Sequence, residues 1–142
     1  MNETEIRAEV VAAYQELSHE GMNKGASGNV SARFGDHMLI TPSGIPSAQM
    51  LPDQVAKIAL DDEAGAWEGP CKPSTEWRFH RRILISREDA GAVVHAHAPF
   101  ATILSILRKP IPAVHYMMAA FGTTEIKCCD YTTFGTDALS DM

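Results

Sequence analysis

Two histidines one residue apart limit this chain's fold more than any other feature. They lie in Gly91-Ala-Val-Val-His-Ala-His-Ala98. If the stretch is a strand, residues i and i+2 project from one face, and His95 and His97 stand side by side as two ligands of one metal should. Apolar Ala92, Val93 and Val94 lead in, which fits a buried strand better than a solvated His-rich loop. The plain alternative is a pair of partly buried structural histidines. Upstream, Pro73-Ser-Thr-Glu-Trp-Arg-Phe-His80 places a carboxylate, Glu76, just inside an expected helix start. That neighbour favours a site.

Periodicity supplies the rest of the frame. Ile6, Val10, Ala13, Tyr14 and Leu17 form one stripe of a helix over residues 4–20. Asn2 with Glu5 makes a capping box, and Gly21 is a natural stop. Residues 30–34 and 38–41 read as strands joined by a Gly-Asp-His hairpin, and residues 55–60 as a third strand. Trp67 is placed over the sheet edge. A helix runs from about residue 73 to 86 with Ser74 as N-cap. Residues 92–97 form a strand, and 99–107 a helix with Phe100, Ile103, Leu104 and Leu107 as its buried stripe. Residues 126–129 read as a strand. Thr136 caps a last helix of only about two turns before Met142, so the sequence reads as a fragment of a longer chain.

Two glycine-rich turns flank the hairpin. Gly21-Met-Asn-Lys-Gly-Ala-Ser-Gly-Asn29 lets the backbone approach a ligand closely, and Thr41-Pro-Ser-Gly-Ile-Pro46 offers the Ser43 hydroxyl and Gly44 N–H to an anion. The start of the 73–86 helix favours a phosphate for the same reason. Each feature also has an ordinary structural reading. Glu76 there is either a complement to the helix dipole or a catalytic carboxylate. Tyr116 is either a core tyrosine or an acid facing a site. His80 is read as a structural helix residue.

The net charge of −6 gives no general attraction to nucleic acid or to an anionic membrane. No apolar run reaches the ~18 residues a membrane span needs, and the acidic, polar start is no signal peptide. Cys71, Cys128 and Cys129 make a poor disulfide framework, so the expected compartment is a reducing cytoplasm. With no C-x-x-C, a metal site must be built on histidine and carboxylate. The 142 residues suffice for a single domain, 1–142.

Taken together, the motifs resemble the class II aldolase/adducin family. The carrying stretches are Gly25-x-x-Gly28-Asn29-Val-Ser31, Ile40-Thr-Pro-Ser-Gly-Ile-Pro46, Pro73-Ser-Thr-Glu-Trp-Arg-Phe-His80, Val94-His-Ala-His97, Ile111-Pro-Ala-Val-His-Tyr-Met117 and Tyr131-x-Thr-Phe-Gly-Thr136. The resemblance implies an α/β fold: a three-layer α/β/α sandwich around a mainly antiparallel sheet, here without the family's C-terminal part. It implies Zn2+ held by three histidines. His95 and His97 match two of them, and the third has no counterpart in this sequence; Glu76 matches the acid/base glutamate beside the metal and is the remaining candidate ligand with the two histidines. Gly28, Asn29, Ser43, Gly44, Ser74 and Thr75 match positions that bind the substrate's phosphate. Tyr116 matches a tyrosine that protonates the aldehyde oxygen across a subunit boundary, in a homo-oligomer that is commonly a tetramer. The implied reaction is reversible cleavage of a phosphorylated ketose to dihydroxyacetone phosphate and a small aldehyde. The same scaffold carries pentulose-phosphate 4-epimerases, sugar-phosphate dehydratases or decarboxylases, and non-catalytic adducin-like domains. The epimerases tend to carry aspartate where Glu76 stands, which favours the aldolase.

Overall fold

A computed structural model describes residues 1–142. The first helix, α1 (Glu3–His19), opens on the expected reciprocal cap. The Asn2 side chain accepts from the Glu5 N–H at 3.0 Å, and Glu5 accepts from the Asn2 N–H at 2.8 Å. After it come β1 (Asn29–Phe34), β2 (His37–Ile40), β3 (Ala56–Ala59) and β4 (Trp67–Glu68). Next are α2 (Trp77–Ser86), β5 (Ala92–His95) and α3 (Pro99–Ile106). The chain ends with β6 (Ile111–Pro112), a 3-10 helix (Tyr116–Phe121), β7 (Glu125–Ile126) and α4 (Asp137–Ser140).

Five strands form one antiparallel sheet in the order β4-β3-β2-β1-β5, and β6 pairs with β7 as a separate ribbon. Side chains alternate across the sheet and feed two cores. Val30, Leu39 and Val55 face α1, where they meet Ile6, Val10, Val11 and Tyr14. Met38, Ile40, Ile58 and Val93 face the other way and meet Trp77 and Leu84 of α2. Each such side chain contributes roughly 1.5–3 kcal/mol by leaving water. Helix, sheet and helix thus form the expected three layers. Arg33 fastens the third: its guanidinium donates to the carbonyls of Leu84, Ala90 and Arg87, around the C-terminal end of α2. No helix is long and apolar enough to cross a membrane.

Several expectations are corrected. The second helix starts at Trp77, with Glu76 at the cap position, and Ser74 lies in the turn before it, where its Oγ still accepts the Glu76 N–H at 3.3 Å. Segment 72–74 is tied to the end of the hairpin by Ser74 N–H to Thr41 O (3.0 Å) and Ser43 N–H to Lys72 O (2.9 Å). The strand expected over 92–97 ends at His95 and is an edge strand; only Val93 is buried, and Val94 is 55% exposed. Trp67 lies within edge strand β4 rather than over the edge, and is itself exposed. The strand expected over 126–129 shrinks to Glu125–Ile126. No residue of α3 is buried: Phe100, Ile103 and Leu107 are exposed and Leu104 is half-buried. Its apolar stripe is present in the sequence, but it is not buried against the rest of the chain.

Candidate active site

Four segments meet at one end of the sheet. Antiparallel register sets Asn29, at the start of β1, opposite His95, at the end of β5. The bridge between Pro42 and Pro73 brings the Ser43–Gly44 turn beside the turn that precedes α2. Between them lies a cleft of about 270 Å³, lined by Ala26, Ser27, Gly28 and Asn29, by Pro42, Ser43 and Gly44, by Ser74, Thr75 and Glu76, and by His97 and Phe134. All six positions expected to hold a phosphate therefore share one rim with Glu76 and one histidine.

Gly28 is required by this crowding. Its φ is +71°, and a Cβ there would lie 2.3 Å from Asn23 Nδ2 and 2.6 Å from the His95 carbonyl oxygen. Asn23 Oδ1 in turn accepts the His97 N–H at 2.9 Å, and so holds that histidine after the strand has ended. The rings of His95 and His97 are 4.8 Å apart, on the same side, as two ligands of one cation should be. Phe79 packs edge-on against His95 at 5.3 Å.

Glu76 is oriented from two sides. Asn29 Nδ2 donates to its Oε2 at 2.8 Å and to Ser74 Oγ at 2.9 Å. His95 Nδ1 lies 2.9 Å from the same carboxylate oxygen. Burial alone would raise the Glu76 carboxyl, but the facing His95 ring and the Asn29 amide outweigh it, and Glu76 is held below the usual carboxylate range. His80 lies behind them, fully buried. Its Nδ1 meets Ser31 Oγ at 2.7 Å and its Nε2 bonds to Asn29 Oδ1. Burial, with the His95 charge, depresses His80 to about 3, so the ring is neutral at physiological pH.

The donor set bears on whether a metal fits. Although 2.9 Å from Glu76 Oε2, His95 Nδ1 is not aligned for a hydrogen bond, and it is buried with no other partner. An orphaned imidazole nitrogen facing a carboxylate and a second imidazole suits a divalent cation of zinc's preferences. His95 and His97 fit as two of the ligands. No group of three or more His, Cys, Asp or Glu side chains closes around one point, so the chain's own side chains do not complete a site.

Tyr116 does not join the cleft. It begins the 3-10 helix, is 80% exposed and packs on His115, with ring centroids 4.4 Å apart. Asn29 reaches the rim with its side-chain amide turned inward and engaged by Ser74, Glu76 and His80. Two residues of the constellation escaped sequence reasoning. Asn23 carries no local signal, being one polar residue in a glycine loop. His80 was placed on a helix as structural; its spacing of four from Glu76 put the two on one helical face, which could have linked it to the site.

Comparison with known proteins follows the same outline. The sequence profile of the Class II Aldolase and Adducin N-terminal domain family matches residues 8–142. The 5-methylthioribulose-1-phosphate/5-deoxyribulose-1-phosphate aldolase of Rhodospirillum rubrum is 50% identical over 135 residues, covering 95% of this chain and 60% of that protein. The L-fuculose phosphate aldolase of Escherichia coli O6:H1 is 45% identical over 141 residues, 99% of this chain and 64% of its own. The solved structure of an L-fuculose 1-phosphate aldolase superposes with a TM-score of 0.89 at 32% identity, covering 96% of this chain and 64% of that one. The chain thus spans less than two thirds of the length of these relatives.

Proposed function

We propose, for a chain that belongs to the class II aldolase and adducin N-terminal domain family, that the whole protein cleaves a ketose 1-phosphate by a metal-dependent retro-aldol reaction. The products are dihydroxyacetone phosphate and a small aldehyde. The observation that carries the reading is Glu76: an ionised carboxylate against the His95 ring, on the rim of a cleft whose other walls present hydroxyl groups and turn backbone.

The phosphate sits among Ser43, Gly44, Ser74 and Thr75, where turn N–H groups and hydroxyls supply donors without a fixed positive charge. His95 and His97 would hold a divalent cation, zinc by the character of the donors, and that ion would supply Lewis-acid polarisation of the substrate's carbonyl oxygen. Cleavage breaks the bond between C3 and C4. The C4 hydroxyl loses its proton and becomes the aldehyde, and the bonding pair passes to the ketone side as an enediolate. Protonation at C3 then completes dihydroxyacetone phosphate. A carboxylate that takes up a proton and returns it at C3 is the role given to Glu76, which requires hydrogen-bond reach of that carbon's substituents. Tyr116, exposed on its own chain, serves the aldehyde oxygen at a neighbouring subunit's cleft. The exposed apolar residues of α3 support such an assembly, read as a homotetramer.

L-fuculose 1-phosphate is one substrate on this reading. A second, 5-methylthioribulose or 5-deoxyribulose 1-phosphate, is favoured by the higher identity to the Rhodospirillum rubrum aldolase. The test is Glu76→Gln in the zinc-loaded whole protein, with aldehyde release from each ketose phosphate followed. The expected loss in kcat is about 10²- to 10⁴-fold. An unchanged rate removes Glu76 from the chemistry; conversion with the carbon skeleton intact makes the protein an epimerase instead.

A further inference from the structure

We propose that His80 is a positioning residue: with Ser31 it fixes which end of the Asn29 amide faces Glu76, and so aims the carboxylate. The proposal rests on the reading of Glu76 as the proton carrier, but its first element, the orientation of Asn29, stands on geometry alone.

The argument is a count of hydrogens. Asn29 is 4% exposed, and Ser31 and His80 are fully buried, so unpaired groups there have no water to turn to. Both hydrogens of Asn29 Nδ2 are used, one on Ser74 Oγ and one on Glu76 Oε2. Asn29 Oδ1 therefore accepts from His80 Nε2, which must carry the ring hydrogen. His80 Nδ1 is then bare and accepts the Ser31 hydroxyl at 2.7 Å. One assignment satisfies all of these groups together. Reversing the amide would set its carbonyl oxygen against the Glu76 carboxylate, two acceptors facing with no hydrogen between them. The row Ser31, His80, Asn29, Glu76 thus runs from β1 through α2 and back to the turn before α2, with every donor pointing toward the carboxylate.

This row lies behind Glu76 and touches none of Ser43, Gly44 or Thr75; it meets the phosphate rim only where Asn29 Nδ2 donates to Ser74 Oγ. Its loss should therefore show chiefly in the proton-transfer step and only weakly in phosphate binding. Side-chain shape separates this role from simple packing. Phenylalanine keeps the ring and removes both hydrogen bonds. Glutamine reaches the position of Nε2 and can still donate to Asn29. Asparagine reaches only the position of Nδ1.

The experiment uses the full chain labelled with ¹⁵N, and steady-state kinetics of the zinc-loaded protein on a ketose 1-phosphate. In the spectra the His80 ring is expected with hydrogen on Nε2 and a bare Nδ1; hydrogen on Nδ1 overturns the proposal. The Asn29 side-chain amide signals should shift and broaden in His80→Phe and return in His80→Gln. His80→Phe should lower kcat about 10- to 100-fold with KM within about twofold, as loss of a supporting partner does. His80→Gln should recover most of this and His80→Asn should not. Equal effects of Gln and Asn, or a rise in KM with kcat unchanged, overturn the proposal. If His80→Phe does not fold, Ser31→Ala is the second variant: it removes the donor to His80 Nδ1 and should loosen the row, so Asn29 side-chain amide signals and kcat both left unchanged by it are likewise refuting. An unmodified protein that cleaves no ketose phosphate refutes the functional reading, while the tautomer and the Asn29 signals still decide the orientation claim.

Discussion

Gly28→Ala should cost far more stability than Gly25→Ala, although both residues lie in the same loop with positive φ. Gly25 has φ +63° and nothing within 4 Å of a built Cβ, so alanine there meets only backbone strain. That strain is about 1–2 kcal/mol, offset by about 0.4–1 kcal/mol from a stiffer unfolded chain. The net expectation for Gly25→Ala is roughly 0–1.5 kcal/mol. Gly28 has the same backbone penalty and three atoms within 2.6 Å of the new methyl. One of them is the His95 carbonyl, on a strand paired with β1, which cannot retreat without opening the sheet edge. The other two belong to buried Asn23. Overpacking adds about 1–3 kcal/mol, and displacing Asn23 from the His97 N–H adds about 1 kcal/mol. Gly28→Ala is therefore expected to cost about 2–4 kcal/mol more than Gly25→Ala. Paired urea titrations at neutral pH read this directly, and thermal melts should separate the two by roughly 6–12 °C. If the two variants unfold within about 1 kcal/mol of each other, the crowding argument for Gly28 is wrong.

Two further outcomes follow from buried polar groups. Arg33→Met keeps the aliphatic stem but removes the donors to the Leu84, Ala90 and Arg87 carbonyls; urea unfolding should show a loss of about 1–3 kcal/mol, and no loss would mean that α2 is held by its apolar face alone. His80 sets an acid limit: it is depressed to about 3 when folded, against about 6.5 when unfolded, so its contribution is fully present above pH 6.5 and is lost as the pH falls toward 3. The slope is up to about 1.4 kcal/mol per pH unit, separate from the carboxylates, whose loss begins below their own ordinary range; His80→Gln should flatten the unfolding free energy between pH 6.5 and 4.5, and an unchanged slope would place a proton on the folded ring.

What could be seen in the sequence was what local chemistry decides. The Asn2–Glu5 box, the Gly21 stop and the hairpin are set by residues within a few positions of each other, and α1 and the β1–β2 pair follow them closely. The side-by-side imidazoles were legible as well, because alternation along a strand is a local rule. Its reach was shorter than expected, since β5 ends at His95 and His97 is held by Asn23, 74 positions earlier. Errors arose where a distant partner overrules propensity. Ser74 looks like an N-cap by composition, and its Oγ does accept the Glu76 N–H, yet the helix itself begins only at Trp77. The α3 stripe has the right spacing, but periodicity says only that a face is apolar, not that something covers it. His80 shows the limit best: a histidine on an apolar helix reads as core, and its link to Glu76 passes through Asn29, 51 positions away.

The topology explains why this corner, and no other, gathers chemistry. The chain leaves β4 at one edge of the sheet and must reach β5 at the opposite edge, beyond β1. α2 makes that crossing over the face that holds Met38, Ile40 and Ile58, so its first turn comes to rest above the start of β1. Glu76 is thus delivered by the crossover, Asn29 by the strand it crosses and His95 by the strand it leads to. Each of the three segments is then pinned by a group outside it: the turn before α2 at Ser74 by Thr41, the start of β1 at Asn29 by His80, and the chain after β5 at His97 by Asn23. A site assembled from the ends of elements would ordinarily be loose. Here the cross-ties use backbone and buried amide groups that have no water to turn to, so their need for hydrogen-bond partners helps hold Glu76 and the backbone of His97 in place before a ligand arrives, and leaves the buried His95 Nδ1 free for one.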